Sequence, residues 1–200
     1  MSKIKLVKYG STEFPPLPPK PKGGWKCVLI DFPWSFSDKG SRLAPDWKDR
    51  FRYATVPTLD LHYWAVDALR AELAANCHVW SWFPDSFESQ DLCLLDDLGA
   101  TPKQIITWRK VGKTGKLRVG GGHYARHATE HLHFAVRGRL PVKLHNIPDV
   151  FDADRQTPHS RKPHKLYEIA EALSPGPRLE CFATERWENW TGWGLSYPKS

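Results

Sequence analysis

The run Trp25-Lys26-Cys27-Val28-Leu29-Ile30 is short and almost continuously apolar, which predicts a strand buried on both faces. Asp31-Phe32-Pro33-Trp34 follows it directly. An acid, a rigid turn and an exposed aromatic at a strand's carboxyl end predict a small, pointed site. Outward from this stretch, strand-like and helix-like patterns alternate. Pro57-Thr58 opens a helix whose apolar positions Leu61, Ala65, Leu69 and Leu73 recur every four residues. Residues 77–82 read as the next strand. Asp85 with Glu88 is spaced as a capping box for a helix that ends at Gly99. Residues 103–108 and 129–136 read as two further strands. Pro163 suits a first helical position, and Leu166, Ile169, Ala170 and Leu173 give that helix its apolar stripe before Ser174-Pro175-Gly176 stops it. Residues 178–182 read as a final strand. Strands separated by helices predict an α/β fold with a mostly parallel central sheet. In such sheets ligands bind beyond the carboxyl ends of the strands, so the residues just after each strand are the site candidates.

Composition narrows the class. The 200 residues carry 29 Lys and Arg against 22 Asp and Glu, a net charge of +7, together with ten Trp. At 40% hydrophobic and 26% charged, the chain is neither collagen-like, coiled-coil nor wholly disordered. Its apolar runs fall short of a bilayer span, and Met1-Ser-Lys-Ile-Lys is too polar for a signal peptide. Cys27, Cys77, Cys93 and Cys181 are widely spaced among apolar residues and read as reduced core thiols, which places the protein in the cytoplasm. Residues 1–24, rich in Lys and Pro, read as an extended arm, and residues 25–200 as a single domain. From residue 98 to 129 no acid occurs, while Lys103, Arg109, Lys110, Lys113, Lys116, Arg118 and Arg126 supply seven positive charges. With Gly112, Gly115 and Gly120 to Gly122 this reads as a flexible, phosphate-tracking arm. A second basic loop, residues 37–52, flanks the site's other side. His123, His127, His131 and His133 lack the Cys or carboxylate partners of a convincing metal set, so no metal is expected.

Several further motifs stand in order along the chain: Tyr53-Ala-Thr, Trp108-Arg-Lys110, Gly120-Gly-Gly-His-Tyr124, Arg126, Glu130-His131, Arg137-Gly138, His159-Ser-Arg-Lys-Pro163, Glu180-Cys-Phe-Ala183 and Trp190-Thr-Gly-Trp-Gly194. Together with Asp31-Phe-Pro-Trp34 they resemble the adenine-N6 methyltransferases of the MT-A70 group, whose motif is Asp-Pro-Pro-Trp. That group includes the catalytic subunit of the eukaryotic messenger-RNA adenine methyltransferase and many bacterial and phage DNA enzymes. The resemblance implies a Rossmann-like methyltransferase fold in circularly permuted, beta-class order. It also implies S-adenosylmethionine as cofactor and a target adenine in nucleic acid.

The chemistry explains the residue types. Adenine's exocyclic amine is a poor nucleophile because its lone pair is delocalised into the ring. The Asp31 carboxylate and a backbone carbonyl in the Phe32-Pro33 turn would accept its two N–H bonds and free that pair. Trp34 would give the flipped base a stacking face, worth about 1–3 kcal/mol. The resemblance assigns the donor to Asp31, Ser160, Lys162, Glu180, Phe182 and Ala183, with Arg186 and Asn189 substituting where Thr184 and Leu195 depart from the family pattern. The candidate nucleic-acid contacts are Tyr53, His123 and Tyr124 together with the basic arm's Arg109, Lys110, Lys113, Lys116, Arg118 and Arg126. His123 and Tyr124 would line a pocket and Glu130 would order the Gly-rich loop. Phe32, where the family has Pro, keeps the carbonyl. DNA is the expected polymer, with RNA, or a catalytically weak nucleic-acid-binding subunit, as alternatives, and no membrane partner. Monomer and homodimer both remain open.

Overall fold

The computed structural model describes residues 6–35, 55–121, 124–154, 161–194 and 197. Tyr53, His123, Ser160 and the basic loop 37–52 lie outside the described residues. The chain opens with a small hairpin, β1 (Val7–Tyr9) against β2 (Thr12–Phe14). Next come β3 (Trp25–Asp31), helix α1 (Thr58–Trp64) and β4 (Leu73–Phe83). Helix α1 continues through wider turns at Ala65–Leu69 to Glu72. Helix α2 (Glu88–Asp97), β5 (Ala100–Lys110), β6 (Thr129–Arg137) and β7 (Val150–Ala153) follow. Helix α3 (His164–Leu173), β8 (Arg178–Cys181) and β9 (Thr191–Trp193) complete the described fold.

Seven strands form one sheet in the order β7-β5-β6-β4-β3-β8-β9. Four of its pairings are parallel, and only β6 runs against its neighbours β4 and β5. The mostly parallel α/β sheet is therefore as expected. The chain enters at the centre with β3, builds outward through β4 to β7, and returns through α3 to β8 and β9. This is the order that a permuted methyltransferase fold requires.

The apolar run of β3 works as its pattern demands. Val28 and Ile30 join a core with Leu61, Trp64, Ala65 and Leu69 of α1 and Leu94 and Leu95 of α2. Cys27 and Leu29 face the other layer with Leu166, Ile169 and Ala170 of α3. Each of these buried aliphatic side chains contributes about 1.5–3 kcal/mol. The fourth member of the α1 stripe, Leu73, opens β4 instead, because the helix stops at Glu72.

Three local expectations are corrected. Asp85 does not cap α2: it lies in a short 3-10 turn, the helix starts after Phe87 without a side-chain cap, and Asp85 faces His127 at 3.6 Å and His131 at 4.0 Å. Cys93 is exposed, because the buried side of α2 is made by Asp91, Leu94 and Leu95. The glycine-containing stretch after β5 is an ordered hairpin: Val111 bridges Leu117, Gly112 N–H donates to the Lys116 carbonyl and Arg118 N–H to the Lys110 carbonyl. The turn relies on Gly115 at φ +75°, a conformation glycine adopts without steric cost.

The first hairpin is docked, not loose. Ser11 and Thr12 hydroxyls donate to the buried Asp60 at 2.7 Å each. Phe14 is fully buried among Trp64, Phe182 and Trp193, and the Trp193 indole donates to the carbonyls of Pro15 and Pro16.

Candidate active site

Strand order reverses between β3 and β8. From β3 the chain moves through α1 to β4 on one side, and from β8 it moves to β9 on the other. A crevice opens beyond the carboxyl ends of such a pair and is the usual ligand site of an open α/β sheet. Asp31 ends β3 at this crevice, and Glu180, opposite Leu29, stands near the end of β8. Trp82 lies opposite Asp31 on β4, on the same face.

Lys162, just before α3, completes the cluster. Its ammonium lies 3.3 Å from Asp31 Oδ1 and 3.2 Å from Glu130 Oε2, over the Trp82 ring at 4.8 Å from the centroid. Glu130 Oε1 in turn meets Lys110 at 2.8 Å. Charges thus alternate as Asp31, Lys162, Glu130 and Lys110 along the sheet's carboxyl edge. Burial alone would lower the Lys162 pKa, but Asp31 and Glu130 outweigh it and hold the ammonium well above its ordinary range. Burial pushes the Asp31 carboxyl up, Lys162 pulls it back, and Glu130 raises it again. Glu130 is held below its ordinary value: burial opposes this, and Lys162 and Lys110 together overcome it.

The second carboxylate is buried more deeply. Glu180 is 7% exposed; its Oε1 accepts from the Tyr167 hydroxyl at 2.7 Å, and its Oε2 has no hydrogen-bond partner. Desolvation drives its pKa to about 7, with the Tyr167 hydrogen bond opposing and Asp31 adding to the rise. Beyond it Phe182 takes φ +64° and Ala183 N–H donates to the Trp193 carbonyl. Gly194 presses on this strand end so closely that a Cβ there would lie 2.8 Å from the Phe182 Cα. Arg161 and Glu185 pair at 3.1 Å, tying the lead into α3 to the turn after β8. Arg186 and Asn189 are exposed in that same turn.

The turn after β3 is where the structure departs most from expectation. Trp34 is not an exposed platform: it is 2% exposed, stacked on Phe87 at 4.9 Å and bridged to Val56. Phe32, 3% exposed, packs against Trp34, Trp64 and Phe182. Replacing the family's proline has thus added an aromatic to the core below the site. The Phe32 carbonyl accepts from Trp34 N–H at 2.9 Å and the Pro33 carbonyl from Val56 N–H at 2.8 Å. Each keeps a second lone pair.

The proposed nucleic-acid residues divide. Lys110 belongs to the site through Glu130, and Glu130 holds two lysines where a role in ordering the Gly-rich loop was expected. Arg109 is paired through two 2.6 Å contacts with Asp152, and Arg118 lies 3.5 Å from Asp154. Lys113 and Lys116 project from the hairpin, and Arg126 Nε donates to the Gly120 carbonyl. Tyr124, expected in a pocket, is fully exposed at 106%. Sequence reasoning missed Tyr167, whose contact with Glu180 had no motif to announce it. Among the described residues, no three His, Cys, Asp or Glu side chains are grouped to hold a metal, and no helix is long and apolar enough to cross a membrane.

A mostly parallel sheet with an acidic strand end at its reversal point and a lysine clamp above it defines an open, Rossmann-like α/β fold with a ligand crevice at its carboxyl edge. The sequence model of the MT-A70 family matches residues 25–196, and the chain belongs to that family of S-adenosylmethionine-dependent adenine-N6 methyltransferases. It is similar to the type II methyltransferase M.MunI of Mycoplasma sp, 22% identical over 92% of this chain and 82% of that protein. It is also similar to a Medicago truncatula protein named as an N(6)-adenosine-methyltransferase, MT-A70-like, 26% identical over 80% of this chain, which spans 24% of that protein's length.

The crevice suits this cofactor. The unpartnered Glu180 Oε2 is an acceptor in want of a donor, and a carboxylate set beside an ammonium complements the amino and carboxyl groups of a methionine tail.

Proposed function

We propose that this chain methylates the N6 of adenine in DNA, with Asp31 and the Phe32 carbonyl as the acceptors that activate the amine. The observation that carries the reading is the Lys162 clamp on Asp31 at the carboxyl edge, between β3 and β8. Lys162 occupies Asp31 Oδ1 and favours the charged form of the carboxylate against its burial, so Oδ2 is the atom that receives one amine N–H. The Phe32 carbonyl receives the other, and the nitrogen lone pair turns out of the ring. S-adenosylmethionine held in the crevice would supply an electrophilic methyl group to that lone pair, with S-adenosylhomocysteine as the leaving group and the surplus amine proton passing to solvent. Asp31 and the turn need only hold the amine in line, which is catalysis by position and preorganised charge.

Glu180, Lys162, Phe182 and Ala183 would hold the donor, Glu180 Oε2 accepting from its amine or ribose hydroxyls and the third N–H of Lys162 meeting its carboxylate. Arg186 and Asn189 remain the proposed ribose contacts, and Ser160 an accessory one. Trp34 serves by fixing the turn through Phe87. Lys113, Lys116, Arg118 and Arg126 would follow phosphates, and Tyr53 and His123, which lie outside the described residues, are proposed as further nucleic-acid contacts on the sequence alone. DNA is taken over RNA because the relative that this chain matches over 82% of its length is a type II methyltransferase.

The test is incubation with S-adenosylmethionine and mixed DNA or RNA oligonucleotides, then digestion and mass spectrometry for N6-methyladenine. Methylated DNA is expected. Donor binding without any methylated adenine would overturn the reading, and methylation of RNA alone would overturn the choice of polymer. Asp31→Ala should abolish turnover and leave nucleic-acid binding nearly intact.

A further inference from the structure

Strand β5 runs parallel to β3 and β4, so its carboxyl end points to the same edge as Asp31. The hairpin that continues it therefore projects beyond the edge that bears the site. Large apolar side chains stand uncovered on this arm: Leu117 is 56% exposed, Val119 58% and Tyr124 106%. Between them and around them lie Lys113, Lys116, Arg118 and Arg126, all exposed.

The aromatics beside Asp31 tell the complementary story. Among the described residues beside Asp31, Phe32, Trp34 and Trp82 are 3%, 2% and 2% exposed, so none of these three offers an open stacking face. A binder of single strands relies on such faces, on which successive bases lie. A binder of duplexes must instead unstack a base pair, and proteins that do so press apolar side chains between base steps while cations grip the flanking phosphates.

We propose that the arm is a wedge for double-stranded DNA: Leu117, Val119 and Tyr124 enter the base stack beside the target adenine and stabilise its extruded state, with Lys113, Lys116 and Arg118 on the backbone. This rests on the reading of the chain as a nucleic-acid methyltransferase and adds the strandedness of its substrate.

The test compares the wild type with Leu117→Ser/Val119→Ser, which leaves every charge in place and alters only exposed positions. Both are assayed on one mixed-sequence DNA pool, annealed or single-stranded. Methylation of the duplex pool should fall about tenfold or more in the variant, with the single-strand rate held within about twofold. An equal loss on both pools, no loss on either, or a wild type confined to single strands would overturn the wedge. Binding to duplexes that carry 2-aminopurine at adenine positions provides a readout independent of methyl transfer. Brightening with the wild type and not the variant supports the wedge even if no methyl is transferred, in which case the catalytic reading alone falls. No brightening with the wild type overturns the wedge.

Discussion

Lys162 holds two carboxylates with one ammonium, and removing it has a definite electrical consequence. In Lys162→Met, Asp31 loses its cation and still faces Glu130, so its already raised pKa climbs further. The acid limb of the pH profile of kcat/KM is expected to move to higher pH by about one unit or more. An unmoved limb would mean that Asp31 ionisation does not govern the rate. Glu180 predicts a stability effect in the donor-free protein. Its folded pKa of about 7 exceeds the ordinary 4.5, so between those values the folded state keeps a proton that the unfolded chain has lost. Stability therefore falls as pH rises through that window. Glu180→Gln keeps an acceptor for Tyr167 and removes the charge. Its stability should match the wild type near pH 4 and exceed it at pH 8 by on the order of 3 kcal/mol, read as a higher melting temperature at pH 8. A difference that does not change with pH would show that Glu180 is ionised throughout. Asp31 and Lys162 were legible in the sequence because they sit in short strings of fixed spacing. The pairing of Lys110 with Glu130 was not, because it arises only when β5 and β6 lie side by side.

Among the elements, β3, β4, β6, α3 and β8 were legible because their own side chains state what they bury. β5 was read short at both ends: Pro102 interrupts the pattern and falls at a shift of register between Pro102 and Gln104. β1, β2, β7 and β9 have three or four residues each, too few for a period, and exist only because a neighbouring strand pairs with them. The hairpin β1–β2 lies before the residues that match the family, yet it inserts Phe14 beneath Phe182, whose backbone borders the crevice. Phe14→Ala should lower stability by about 3–5 kcal/mol, seen as a leftward shift of the urea midpoint. A loss below about 1 kcal/mol would mean that the neighbouring indoles close the gap. The same variant should weaken S-adenosylmethionine binding, because Phe32 and Phe182 lose a shared neighbour.

At the scale of the whole molecule, the charge of +7 is not spread where a linear reading places it. The stretch from 98 to 129 has no acid in sequence but several in space: Asp152 pairs with Arg109, Glu130 with Lys110 and Asp154 with Arg118. Among the described residues of this stretch, Lys113 and Lys116 at the hairpin stay exposed for phosphates, and Arg118 is shared with Asp154. Changing Lys113, Lys116 and Arg118 together to Gln should reduce the slope of log Kobs against log salt by about 2 to 3. Titrations at several salt concentrations measure it, and an unchanged slope would remove these residues from the interface.

β3 bears Asp31 and is the first strand of the large sheet to be synthesised, but one of its two edges is closed by β8, about 150 residues later in the chain. Until Arg178–Cys181 has left the ribosome, the strand that holds the catalytic acid exposes a row of unpaired amides and carbonyls. Before β8 emerges, the nascent chain is therefore prone to associate through this open edge, and the long loop that must close slows the pairing. Fragments that stop at α3 should aggregate, and expression at low temperature or with a holding chaperone should favour the full-length chain.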